Sequence, residues 1–477
     1  MKNLAKNYIY NLVYQLIFVI SPLITMPFLS RSLGAAGVGQ YSYAYSLTCY
    51  FTILATLGCD IYGRREISYL KEQKKERTIK FWSIELIKII STLIVLIIYV
   101  IFSLNNDNRT LLLILIFHLI NVPLNIGWFY QGIEQFKSIT IRGIFLKLTE
   151  LLFVLAFIKT PNDLNLYVFG MSFISFITFL VLWIGLKKEL VKVSKKDIKI
   201  KSDLKDCLIL FLPAIATSVY TLLDKTMIGV ITENYLENGY YEQAQKINIV
   251  LLKIVLALGL VLMPKIAFSF KKNEHNEVKK YISISLRYVY LIATPIAFGL
   301  ICLSDLFVPW FFGEDFLEVT KLLKISGFIL IFQGIEDVLG VQYLVNVNRQ
   351  REYITSLFIG ALVNFILNLL LIPKLHAFGA LIASLLGQIL IVTIQFLLVK
   401  KEFNIFDMIK LSKNYVISSS LMLITLLLSN NLSSNIINTF IIFVIASTIY
   451  IVALIILKDE MVIKIKNTLI KKLKHTN

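Results

Sequence analysis

Lys147 and Glu150 stand three residues apart inside IRGIFLKLTELLFVLAF, residues 141–157, a stretch otherwise apolar enough to cross a bilayer. Opposite charges one helical turn apart can pair with each other, hold an anion, or take up and release a proton. At a helix centre each costs about 2.5–3.5 kcal/mol on insertion scales, so such groups face a bundle interior or a watery cavity. Arg142, Lys147, Thr149 and Glu150 together occupy roughly half the helix circumference at about 100° per residue, which leaves the other half apolar.

A second stripe is Glu242, Lys246 and Lys253, separated by four and seven residues and therefore on one helical face. Counting from Gly239, Lys253 lies about 21 Å down the helix at about 1.5 Å per residue. That depth is too great for easy snorkelling in a core about 30 Å thick. Lining a cavity and forming a structural ion pair compete as readings, with the cavity ahead because three residues agree. Asp224 shares a face with Thr217 and Thr221, has Lys225 beside it, and follows Pro213 by three turns. Glu85 and Lys88 are nearer a span end and are expected to snorkel. His118 is a lone histidine, more often packing than a proton relay, and Gly360, Asn364 and Asn368 recur every four residues, a pattern for close helix approach and interhelical hydrogen bonds.

Covalent chemistry has no carrier here. The chain contains no phosphate-cradling GxxxxGK[ST], no HExxH and no serine elbow, which argues against an ATP-driven pump and against catalysis. Cys49, Cys59, Cys207 and Cys302 lack metal or disulfide spacing and read as packing residues. No cofactor and no metal are expected.

The elements that must position these charges are membrane helices. The 477 residues are 57% hydrophobic and 16% charged. Hydropathy predicts spans near 8–29, 38–62, 80–104, 110–131, 139–159, 164–186, 206–232, 238–264, 282–303, 318–346, 353–373, 377–400, 413–430 and 436–457. The first is too long for a signal core and lacks a cleavage site, so it reads as a span. The net charge of +18 suggests nucleic acid only in a soluble protein; here it sits in alternate connectors, such as GRREISYLKEQKKERTIK and KKELVKVSKKDIKIKSDLKD. By the positive-inside rule these connectors and both termini are cytoplasmic, and the basic tail from Lys464 to Lys474 rests on anionic headgroups. Trp82, Trp128, Trp183 and Trp310 fall near span ends, as headgroup-level tryptophans do, and Phe307, Trp310, Phe311 and Phe312 are expected along the outer interface.

Six spans in 1–187 and six in 206–401, both starting inside, predict two lobes related by an axis along the membrane normal. The basic connector 188–205 separates them, and 402–477 adds two helices and the tail. Gly39, Tyr41 and Ala44 match Gly239, Tyr241 and Ala244 in spacing, and FGMSFIS at 169–175 matches FGALIAS at 378–384. Pro22 and Pro27 in span one and Pro213 in span seven give each lobe a bendable first helix.

Several segments, in order across residues 1–400, resemble the lipid-linked oligosaccharide flippases of the MOP exporter superfamily, the Wzx type. They are RSLGAAGVGQYSYAYS, LGCDIYGRREIS, NIGWFYQGIEQFKSITIR, LDKTMIG, GYYEQAQKI, LMPKI, FFGEDF and the run from GVQYLVNVNRQRE to FGALIAS. The resemblance implies an all-α integral membrane protein, V-shaped and MATE-like, with about 14 transmembrane helices in two six-helix lobes plus two C-terminal helices. It implies alternating access that carries a polyprenyl-pyrophosphate-linked glycan to the outer leaflet of a bacterial cytoplasmic membrane, for capsule or other surface polysaccharide. A polysaccharide polymerase and assembly proteins are implied partners, membrane lipid surrounds the chain, and nucleic acid is no partner.

For the anionic substrate a cationic cleft is implied, and Arg142, Lys147, Lys246 and Lys253 fit it by position. Glu150, Asp224, Lys225 and Glu242 are candidates either for coupling to a proton or sodium ion or for charge pairing, Glu150 and Asp224 as titrating groups or as neutralisers of an adjacent lysine; Arg31, Arg64 and Arg65 lie in matching motifs at span ends, where topology and gating compete. A cation-coupled multidrug exporter of the same superfamily is the rival reading, opposed by the lysines. A membrane glycan polymerase is a further rival, opposed by outer connectors too short to build a site.

Overall fold

The computed structural model describes residues 2–198, 200–429 and 432–463, and their side chains except at 2–16, 18, 19, 138, 195 and 212–221. The expectations for Pro213, Thr217, Thr221 and the tail from Lys464 lie outside the described side chains. Among the described residues the chain is helical, with no strand. In order come α1 (Lys2–Thr56), α2 (Cys59–Tyr69), α3 (Lys74–Leu104), α4 (Arg109–Ile114), α5 (Ile116–Leu124), α6 (Gly127–Gly132), α7 (Phe136–Phe157), α8 (Leu164–Leu186) and α9 (Ile200–Thr232). They are followed by α10 (Tyr235–Val255), α11 (Ala257–Lys271), α12 (His275–Phe312), α13 (Glu318–Glu336), α14 (Gln350–Val399), α15 (Ile405–Lys410), α16 (Lys413–Leu421), α17 (Leu426–Ser429) and α18 (Ile436–Ile456).

Among the described residues each expected span falls largely on helix, with breaks at Leu57 and Gly58 and at Asn125 and Ile126. Among the described residues seven helices are long and apolar enough to cross a membrane, and two bent pairs raise this to nine. One pair, α10 with α11, bends by 45° at the break around Leu256. Two long helices are interrupted where the sequence places outer turns: α1 at Gly34 (φ 67°) and α14 at His376 (φ 51°). Gly34 has the freedom to take that left-handed conformation, while His376 carries it at some strain. The protein is a multi-pass membrane protein.

Two compact units result, Met1–Gly239 and Tyr240–Asn477. Within the first unit α9 packs on α1, α2 and α3. Its N-terminal half fits there closely: a Cβ at Gly58 would lie 2.7 Å from the Cys207 carbonyl oxygen. The first turn of α10 packs in the same unit, where a Cβ at Gly39 would fall into the Tyr235 carbonyl and one at Gly239 into the Ala35 carbonyl. The two repeat-matched glycines therefore serve one backbone-to-backbone crossing. The rest of the first core centres on Phe81, Trp128, Phe129 and Ile84. In the second unit α12 is central, packed by α11, α13, α16 and α18.

Some sequence expectations change. Trp128 is buried within the protein at 3% exposure, its ring against Gly63 and stacked on Phe81. The segment expected to lie along the outer interface instead continues α12 to Phe312, where Phe307 and Phe311 stack at 4.6 Å one turn apart and Phe312 is fully buried. The helix runs on through Gly299 and Pro309 and ends at Gly313, whose φ of 105° breaks it.

Candidate functional site

In the first unit α7 places Lys147 Nζ 2.6 Å from Glu150 Oε2, with the Glu150 side chain at 10% exposure and that of Lys147 at 22%. The three-residue spacing alone dictates this pairing on a helix. Arg142, one and a half turns earlier, lies with its guanidinium carbon 4.5 Å from the Phe179 ring centre on α8. That stacking flattens the cation against an aromatic face, a favourable cation–π arrangement. The three charges explain why α7 is missing from the helices apolar enough to span unaided.

On α9, Asp224 is buried at 4% exposure and Lys225 is half-buried. Next to them Thr226 Oγ1 donates to Tyr50 Oη at 3.2 Å and lies 3.1 Å from Ser46 Oγ, a hydroxyl cluster joining α9 to α1. Asn238 donates to the Lys225 carbonyl at 2.7 Å. Arg31 is exposed, three residues before the break at Gly34. At the other end of the first helices Arg64 donates to Gln131 at 3.4 Å, and Arg65 pairs with Glu66 at 3.2 Å over the Tyr62 ring.

In the second unit Lys246 Nζ lies 3.2 Å from Glu242 Oε1, again as geometry at four residues requires. Lys253 is exposed, two residues before α10 ends at its bend. The stripe thus grades from a buried carboxylate to an exposed cation.

The Glu85 and Lys88 expectation is corrected: neither snorkels, and both are fully buried. Lys88 Nζ donates to Asp60 Oδ1 and to the Asn125 carbonyl, each at 2.9 Å. The reason is α2, an 11-residue helix that folds back over α3 and brings Asp60 with it. Beside it Cys59 and Cys207, expected to be isolated, meet with their sulfurs 3.5 Å apart, both as free thiols. Lys80 and Tyr62 both donate to Asp203 Oδ1, at 2.7 and 2.8 Å, tying α2 and α3 to α9. His118 packs edge-on to Tyr45. In α14 Asn364 donates to Ser384 across the break at His376, at 3.2 Å, and Asn368 donates back to Asn364 one turn earlier, at 3.2 Å.

What sequence reading missed is a hollow. Within the second unit, α12 and α18 with the turn at Met422 line a half-open apolar cavity of about 830 Å³, with Leu291, Pro295, Gly299, Met422, Ala446 and Ile455 among its walls. Two hydroxyls lie in the lining, on Ser447 and Tyr450, and that of Tyr450 donates to the Leu291 carbonyl at 2.9 Å. The lining is otherwise almost wholly aliphatic and aromatic, so the cavity suits a hydrocarbon chain. The signal for it was faint: Gly299 and Ala446 are small residues on otherwise bulky apolar helices. A π-helical segment, Asp337–Leu344, was also missed; there Gln342 donates to Asp337 at 2.8 Å and accepts from Ser285 at 2.7 Å.

With this geometry in hand, known proteins supply the context. The pattern of the family described as "Polysaccharide biosynthesis protein" matches residues 4–270. A protein of Escherichia coli (strain K12) named as a candidate O-antigen transporter is 23% identical over 418 residues, covering 84% of this chain and 97% of its own. Among solved structures, a lipid II flippase in an inward closed conformation superposes with a TM-score of 0.78 at 16% identity, covering 94% of this chain and 100% of its own. An inward-facing multidrug transporter of the MATE family and MOP superfamily gives 0.61 at 13% identity, covering 82% and 95%. The fold is therefore that of the MOP exporters.

Proposed function

We infer that this chain, which belongs to the polysaccharide biosynthesis protein family, is a flippase for lipid-linked glycans. Its substrate is a polyprenyl-pyrophosphate-linked oligosaccharide repeat unit. Alternating access moves it from the inner to the outer leaflet of a bacterial cytoplasmic membrane, for capsule or another surface polysaccharide. Both termini and the connector 188–205 are cytoplasmic in this reading.

The observation that carries the reading is the apolar cavity in the second unit. A transporter of free sugars has no use for a hydrocarbon-lined hollow; a transporter of a lipid-anchored glycan does. The paired cations supply the other half of the chemistry. Lys147 and Lys246 are each held by a carboxylate on the same helix, so an arriving pyrophosphate competes with Glu150 or Glu242 for the ammonium, and a displaced carboxylate takes up a proton or another cation. Arg142 and Lys253 add positive charge along the same two helices. The E. coli relative, matched over nearly its whole length, supports the same substrate class. Arg31, Arg64 and Arg65 remain gating candidates.

Energetics favour the direction. Outward movement of an anion across an inside-negative membrane gains about 2.3 kcal/mol per charge per 100 mV. The multidrug reading has likeness of fold alone behind it.

Deleting the gene and detecting lipid-linked glycan leaflet by leaflet tests the proposal. Accumulation in the inner leaflet is the expected result. Unpolymerised units already in the outer leaflet would make the chain a polymerase. Substituting Lys246→Ala with Lys253→Ala should reduce transport more than abundance, and lysine-to-arginine changes should keep more function than alanine.

A further inference from the structure

We propose that Glu85 is a proton-binding carboxyl that couples the transport cycle to protons, an inference that rests on the transport reading above. Glu85 is fully buried in α3, and neither of its carboxyl oxygens has a hydrogen-bond partner. The charged groups facing it are Lys88, one turn along the same helix, and Asp60 from α2. Next to Asp60 lie the Cys59 and Cys207 thiols, which engage each other.

Charge counting then assigns the proton. Lys88 is fully committed to Asp60 and to the Asn125 carbonyl, with the Trp128 ring centre 5.9 Å away. One cation therefore matches one carboxylate. A second carboxylate in this enclosed place would be a buried, uncompensated charge without a single donor, which is the costliest arrangement available to it. Glu85 holds its proton instead, and the cluster is neutral.

Asp60 gives the site its outlet, since its side chain is 38% exposed. The exchange conserves charge throughout. Glu85 gives its proton to the Asp60 carboxylate, through water where needed. Lys88 transfers its ammonium from Asp60 to the newly ionised Glu85. Asp60, now a neutral acid, releases the proton to solvent. In each of the two proton transfers one O–H bond breaks and one forms, the lysine shift exchanges only hydrogen bonds, and no redox partner is required. A two-position lysine between an enclosed and an accessible carboxyl is a bistable element of the kind that couples an ion to a conformational cycle.

The test uses the full chain in lipid nanodiscs and in proteoliposomes loaded with polyprenyl-pyrophosphate glycan. The infrared spectrum of the wild type at neutral pH should show a protonated carboxyl band that Glu85→Gln loses. Glu85→Leu, which fills the buried site without a polar atom, should lose it too and serves if the glutamine variant accumulates poorly. Flipping by the wild type should respond to an imposed pH gradient, and this response should vanish in the variants. Retention of the band, or of the gradient response, in both variants overturns the proposal. A wild type that shows the Glu85 band but flips no glycan lipid supports the proton site and overturns the transport reading.

Discussion

The two compact units bury different things. The first encloses charge: Lys88 with Asp60, Glu85 alone, Lys80 with Asp203, and Lys147 with Glu150 along α7. The second lines a half-open, hydrocarbon-walled hollow of about 830 Å³ and, beside the buried carboxylates Glu242 and Asp459, settles much of its buried polarity with amides, Asn364 and Asn368 on α14 and Gln342 in the π-helical segment. Charges inside a membrane protein are expensive and persist where they pair or work. An empty apolar cavity forgoes packing contacts and persists where something fills it. A substrate with an anionic head and a lipid tail makes demands of both kinds.

The largest effect should come from the first unit. Lys88→Leu leaves Asp60 without its cation and costs about 3–5 kcal/mol, as removal of one partner of a buried pair does. The measurement is thermal stability of the purified protein together with its abundance in the membrane. Adding Asp60→Asn should recover most of the loss. Wild-type stability in the single variant would mean that Lys88 reaches solvent after all, and the contrast between the units would collapse.

The same small change at two glycines sharpens the contrast. Gly39→Ala puts a methyl into the Tyr235 carbonyl and should destabilise by about 1–3 kcal/mol through overpacking. At Gly299 the nearest atom to an added Cβ is Met422 Cε at 3.8 Å, so Gly299→Ala has room. It should stabilise α12 by about 0.5–1 kcal/mol, the helical advantage of alanine over glycine. Denaturation midpoints of the two variants decide, and equal effects would remove the distinction between a closed crossing and an open hollow.

How much of this could be read beforehand follows from the range of each interaction. Hydropathy located the helices because each needs only its own residues, and the motifs in order located the family. The pairs Lys147–Glu150 and Lys246–Glu242 were legible because a helix fixes neighbours three and four residues apart. The Lys88–Asp60 pair was not, since it joins residues 28 apart and exists only because α2 turns back at Leu57 and Gly58, both at positive φ. The cavity was invisible for another reason: a hollow is where side chains are missing, and hydropathy scores Gly299 and Ala446 without regard to the volume they leave.

Filling the hollow should affect function and spare the fold. Gly299→Leu with Ser447→Phe adds apolar volume to the lining without adding a polar group or a charge. Stability should hold, and flipping should fall roughly tenfold, equivalent to about 1.4 kcal/mol in the barrier. A flipping assay comparing long and short polyprenyl chains gives the sharper reading, because a shorter tail should suffer less. Unchanged rates for both would leave the cavity a packing defect with no part in transport.

The smallest effect on stability, and the one most informative about α7, is expected for Lys147→Leu combined with Glu150→Leu. Removing either partner alone strands the other in a helix that borders lipid, whereas removing both eliminates the desolvation cost along with the attraction. The double variant should therefore match the wild type in abundance and differ from it by less than about 1 kcal/mol in stability. Transport separates the two roles this pair can have. A pair that only holds α7 in place predicts full flipping once both charges are gone. A pair in which Glu150 keeps Lys147 ready for an anionic head predicts a well-folded protein that no longer flips, with Lys147→Arg retaining more activity than either leucine change. Full transport by the double variant would confine α7 to scaffolding and leave substrate charge to the stripe on α10.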